Sequence, residues 1–145
     1  MKKVTNLIAG LAGAVVLNLL HESLKNKKDM PRIDKLGEQA LEKSLNYLDT
    51  SISNKRELYL ATLAGDIAGN TLYYSLIGGK SSLIWPKALA LGLSAGIGAV
   101  TLPSSIGLNE KYTANSKKVI GLTIAYYLCG ALVSASLLKL ASRSR

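Results

Sequence analysis

The sequence predicts an all-α integral membrane protein: a bundle of four transmembrane helices, with one amphipathic interfacial helix between the first and second spans. Three observations lead there. Charged residues of the 145-residue chain cluster in segments 22–57 and 110–118 and at the two ends. Between these clusters lie four stretches almost free of charge, each close to the ~17–25 residues that cross a hydrocarbon core. Within them, small residues recur at four-residue spacing, the pattern that lets helix backbones approach one another in lipid. Hydrophobic residues make up 48% of the chain, an ordinary share for a soluble protein, so their distribution and not their amount carries the prediction.

The spans are expected at about 4–22, 58–77, 84–102 and 119–139, and the amphipathic helix at about 34–53, forming a single membrane domain. The first begins with a basic start, an apolar run and the small residues Ala12, Gly13 and Ala14. These are features of a signal peptide, but the apolar run continues through Val15, Val16 and Leu17, so an uncleaved span is expected. Gly10 and Ala14 share one face and suit close packing. Asn18, His21 and Glu22 follow at helical spacings of three and four.

The connection to the second span is polar. Pro31 disfavours helix at Met30, so a turn is expected there. Asp34 is positioned to cap a helix whose stripe runs Leu36, Ala40, Leu41, Leu45, Leu48 and Ile52. This segment is too polar to span. It suits the membrane interface, or the ends of the other helices.

The second span, LYLATLAGDIAGNTLYYSLI, carries an acid near its middle. Thr62, Asp66 and Asn70 form a polar stripe, and Ala61, Gly65 and Gly69 form a small-residue stripe beside it. A helix with both stripes is expected to be surrounded by protein and not by lipid on all sides. Gly78 and Gly79 mark a turn; the spacing of a phosphate-binding loop is absent. Trp85 suits an interfacial anchor and Pro86 a first helical turn of the third span, where Ala88, Gly92 and Gly96 lie four apart. Pro103 is expected to end that span. The fourth carries Gly121, Gly130, Ser134 and the pair Tyr126–Tyr127, with the lone cysteine, Cys129, expected deep and unreactive.

Formal net charge is +9, from 18 basic and nine acidic residues. The basic residues flank the apolar blocks, so they point to lipid headgroups and not to nucleic acid. No metal-ligand pattern and no cofactor motif is present, and none is expected to bind. Four spans place both termini on one side. That side holds seven basic residues and the side of the two long loops holds eleven, which favours cytoplasmic loops in the cell's inner (plasma) membrane.

Depth along the helices pairs two polar residues. Asp66 lies nine residues past Glu57, about 13 Å along its helix, and Asn18 lies about 6 Å in from the same side. Asp66 is therefore expected to reach Asn18, with His21 above at the interface and Asn70 deeper. Tyr73, Tyr126 and Ser94 are candidates to complete the group. Two readings stay open: an intramembrane site that handles a proton or small ion, or polar glue between helices. The sequence thus supports a non-enzymatic accessory or structural component, with a small transporter or channel using Asp66, Asn70 and Asn18 as the alternative, and a lipid-directed enzyme as a third. The expected partners are the bilayer and a second copy or a larger membrane complex.

Overall fold

A computed structural model of the chain describes residues 2–144; Met1 and Arg145, the latter counted above among the basic residues, lie outside them. The described residues form six α-helices and a 3-10 turn, with no strand among them. The helices are α1 (Lys3–Leu24), α2 (Ile33–Tyr47), α3 (Lys55–Ser75), α4 (Ile84–Ser105), α5 (Lys111–Ala114) and α6 (Lys117–Arg143). Three segments are long and apolar enough to cross a membrane: α1, α6, and α4 with the 3-10 turn that precedes it. The expected span at 58–77 falls mostly in α3, which has the length but is not among the three. Asp66, Asn70 and the threonines and tyrosines of α3 dilute its apolar character.

The long helices pack in the order α3, α1, α6, α4, so α1 and α6 form the centre. Glycine sets the closeness of each seam. A Cβ on Gly10 would meet the Thr71 carbonyl of α3 and come within 3.0 Å of the Ser75 nitrogen. Gly13 faces Ser134 and the Gly130 carbonyl of α6, and a Cβ on Gly130 would come within 2.9 Å of the Gly13 carbonyl. Gly92 and Gly96 of α4 press on Leu128 and Ile124, the latter only 2.6 Å from a Cβ at position 96. Ala14 is fully buried in the same core.

Polar bonds hold these seams in register. Ser134 Oγ donates to the Ala9 carbonyl at 2.9 Å. The Tyr74 hydroxyl, wholly buried, donates to the Tyr127 carbonyl at 2.8 Å. Such bonds contribute only ~0.6 kcal/mol each on average where helices pack in a membrane, so there they select which faces meet more than they hold a bundle together.

Three local expectations are corrected. Asp34 is not an N-cap: Arg32 holds that position, and Asp34 lies in the first turn with its carboxylate buried. Helix α2 stops at Tyr47, so Leu48 and Ile52 are not on its stripe. Asp49, at φ 52°, takes the left-handed conformation that an Asp tolerates, and the Thr50 N–H closes back on the Leu45 carbonyl.

Pro103 does not end the third span; it sits inside α4. Proline lacks the N–H that would bond to the carbonyl four residues earlier. The buried Thr113 hydroxyl supplies the missing donor, reaching the Ala99 carbonyl at 2.7 Å. The helix ends at Ser105, and Gly107 beyond it, with a φ of 74°, allows Leu108 N–H to reach the Pro103 carbonyl at 2.8 Å and Gly107 N–H to reach that of Ser104 at 3.3 Å.

Candidate functional site

The outer helices α3 and α4 scarcely touch, and between them lies a cavity of about 670 Å³. Its back wall is the second half of α1, with Leu17, Asn18 and His21. At the deep end the two outer helices are bridged by Tyr73, whose hydroxyl donates to the Leu91 carbonyl at 3.1 Å. At the other end α2 forms a cap. It lies against α3 at Gly37, where an added Cβ would sit 2.7 Å from Thr62 Cγ2. It is also tied to the α4–α5 connection, where Gln39 Oε1 accepts from the Asn109 N–H at 2.8 Å. Its residues Leu36, Ala40 and Leu41 face into the cavity.

A polar group sits on the inner wall. Asn18 Nδ2 donates to Asp66 Oδ2 at 2.8 Å, and Asn70 Nδ2 donates to Asp66 Oδ1 at 3.0 Å. Each carboxylate oxygen thus accepts one amide N–H. Asn18 Nδ2 also reaches its own helix at the Ala14 carbonyl, 3.0 Å, and Asn70 the Asp66 carbonyl, 3.0 Å. All three residues line the cavity. Antiparallel packing of α1 on α3 is what brings the depths of Asn18 and Asp66 together.

The other residues singled out in the sequence are placed differently. Thr62 lines the cavity, but its hydroxyl bonds only within its helix, to Leu58. Ser94 also lines it and bonds to Ala90 of its own helix. Tyr126 lies in the apolar core, and Tyr127 faces the cavity in its place. Gly65 and Gly69 have open space where a side chain would stand, so that small stripe forms no helix seam, in contrast with Gly10, Gly92 and Gly96. Cys129 is exposed on the outer face of α6.

His21, expected at the interface, is buried by protein. It is 2% exposed and lies in a cluster of charges at the capped end. Its Nε2 is 3.3 Å from Asp34 Oδ1, close but without hydrogen-bond geometry, and its Nδ1 is 3.5 Å from Glu22 Oε1. Arg32 grips Asp34 with two bonds of 2.9 and 2.7 Å. Lys25 pairs with Glu22 at 2.8 Å and lies 4.6 Å above the Tyr59 ring. Burial alone would raise the Asp34 pKa, but the Arg32 bonds, and then His21, outweigh it and hold the carboxyl well below the usual carboxylate range. This cluster joins α1, α2 and α3 at one end of the bundle. Spacing within α1 marks only the Glu22–Lys25 pair; the return of residues 32–34 onto His21 is set by the turn at Met30 and Pro31.

No protein-family model, curated protein or solved structure matches this chain.

Proposed function

We propose that the chain is a non-enzymatic membrane protein of four spans that binds a small amphiphilic solute in the cavity between α3 and α4, as a small transporter does. The observation that carries this reading is the position of Asp66. Polar glue serves best when sealed between helices. Here the carboxylate and both of its amide donors line a cavity whose remaining wall is mostly apolar, the usual make-up of a small-molecule site.

Helix α3 completes the four spans. At 21 residues it is about 32 Å long, enough for a ~30 Å hydrocarbon core. It packs along α1, which is among the apolar segments, and turns its polar stripe toward the cavity. The apolar side of α3 then meets lipid with Leu60 and Leu72, continued by Leu76 just past its end, all exposed. Helix α2 lies at the interface, with Tyr47 at its end and Leu48 just past it exposed to the headgroups. We place this end on the cytoplasmic side of the plasma membrane, following the basic loops.

The accessory-component reading draws its support from the glycine seams, which would serve a purely structural bundle, and from the prospect of a second copy or larger complex. It gives the cavity no role. A lipid-directed enzyme is less well supported, because His21 lies against the carboxylates of Glu22 and Asp34 and bonds to no hydroxyl or thiol among the described residues.

Binding of a neutral fluorescent reporter, N-phenyl-1-naphthylamine, to the purified protein tests the proposal. Saturable fluorescence enhancement is expected, and Ala95→Trp, which fills the cavity from α4, should abolish it while circular dichroism stays helical. Enhancement that is equal in the folded Ala95→Trp protein would sink the reading.

A further inference from the structure

Resting on the cavity reading above, we infer that the solute is an organic monocation, a single positive charge on an apolar body. The argument begins with how the acids of the cavity are balanced. Three line it: Glu22, Asp34 and Asp66. Glu22 is paired with Lys25 at 2.8 Å and Asp34 with Arg32 at 2.7 Å. Asp66 takes part in no ion pair among the described residues. Its two partners are neutral amides, each donating an N–H, an arrangement that suits an ionised carboxylate because neither offers an acceptor to an acid proton. Ionised, Asp66 places on the cavity wall a negative charge that no ion pair among the described residues cancels, at a depth where charge is costly unless matched.

Among the described residues the wall contains neither lysine nor arginine, and its one imidazole, His21, lies between the carboxylates of Glu22 and Asp34, so an anion would find no free cation and would face Asp66 directly. A neutral molecule would leave the carboxylate unmatched. A cation resolves both. Tyr73 and Tyr127 also face the cavity, and their rings offer the negative faces on which organic cations settle. The rest of the wall, with Leu17, Leu63, Ala95 and Leu102, suits a hydrocarbon body. A divalent metal ion is the wrong occupant: the described residues hold no cluster of three His, Cys, Asp or Glu, and calcium takes about six to eight oxygen ligands. The volume falls within the ~300–1,000 Å³ typical of sites for drug-sized molecules, well beyond one inorganic ion.

The test uses the full-length protein in neutral-detergent micelles and two probes of nearly equal shape and opposite charge, tetraphenylphosphonium and tetraphenylborate. Equilibrium dialysis, corrected for empty micelles, reads binding. The phosphonium should bind saturably and at least about tenfold tighter than the borate, since like-charge juxtaposition is strongly disfavoured in a site of this kind. Asp66→Asn should erase most of that preference. If the wild-type protein binds both probes equally, the cation assignment is overturned, and the cavity reading stands so long as Ala95→Trp still removes binding. Undiminished phosphonium binding by a folded Asp66→Asn protein overturns it in the same way. If neither probe nor the neutral reporter binds, the cavity reading fails and the inference with it. The comparison of probes on the wild-type protein decides the matter even where Asp66→Asn does not fold.

Discussion

The bond between Asn18 and Asp66 links the helix that forms the back of the cavity to the helix that carries its acid, and its strength is measurable by a double-mutant cycle. Asn18→Ala removes one donor at 2.8 Å; the carboxylate keeps the other, from Asn70 at 3.0 Å, so it is not orphaned. Asp66→Ala removes the acceptor. Each single variant also loses a second bond, Asn18 to Ala14 or Asn70 to Asp66, and these losses cancel in the cycle. Neutral polar pairs between membrane helices average ~0.6 kcal/mol, and an ionised acceptor roughly doubles a hydrogen bond, which gives a coupling of about 1.2 kcal/mol, or roughly eightfold in the folding equilibrium constant. Reversible unfolding in mixed micelles of rising dodecyl sulfate content would read it across the four proteins. A coupling below about 0.3 kcal/mol is within the scatter of independent sites, and it would refute the claim that the two helices meet through this bond.

Three further outcomes are expected. Gly96→Ala should cost about 1–3 kcal/mol, because its Cβ would stand 2.6 Å from Ile124 Cα, whereas Gly69→Ala, facing open space, should be neutral or stabilise by about 0.5–1 kcal/mol; thermal unfolding separates them. Thr113→Val strands the Ala99 carbonyl and should cost about 1–3 kcal/mol; adding Pro103→Ala, which restores an N–H to that carbonyl, should recover part of the loss on the same assay. Asp34 has a carboxyl held below its unfolded value, so its contribution is complete above about pH 4 and is lost as pH falls below that toward the depressed folded value. Wild-type unfolding temperature should therefore drop between pH 5 and pH 3 by more than that of Asp34→Asn, with hydrogen exchange in α2 rising in parallel; equal drops would mean that Asp34 does not hold the cap.

The meeting of Asn18 with Asp66 was legible because a helix converts position in sequence into depth at a fixed rise, and α1 and α3 run antiparallel. Which glycines form seams was not legible. Gly65 and Gly69 have the same spacing as Gly92 and Gly96, but spacing says only that residues share a face. The rotation of α3 about its axis decides what that face meets, and it is set by Tyr74, Thr71 and Ser75 seating on α1 and α6. The burial of His21 was not legible either. Its position near the end of an apolar run implies an interface, while its burial comes from residues 32–34 folding back over it. Pro103 reads locally as a stop, and only a hydroxyl ten residues further on makes it compatible with helix.

By itself the sequence determined that this protein is helical and marked four apolar stretches of spanning length, one with an acid midway; three of the four stand as helices long and apolar enough to cross a bilayer. Those features follow from local pattern: apolar run length, small-residue spacing and the rise of a helix. Tertiary structure decided the order α3, α1, α6, α4, and with it the separation of the two outer helices that opens the cavity. It also decided that Glu22 and Asp34 find basic partners while Asp66 finds none among the described residues. Charge pairing between distant segments depends on how helices rotate and on where a turn returns the chain, and no local pattern encodes either.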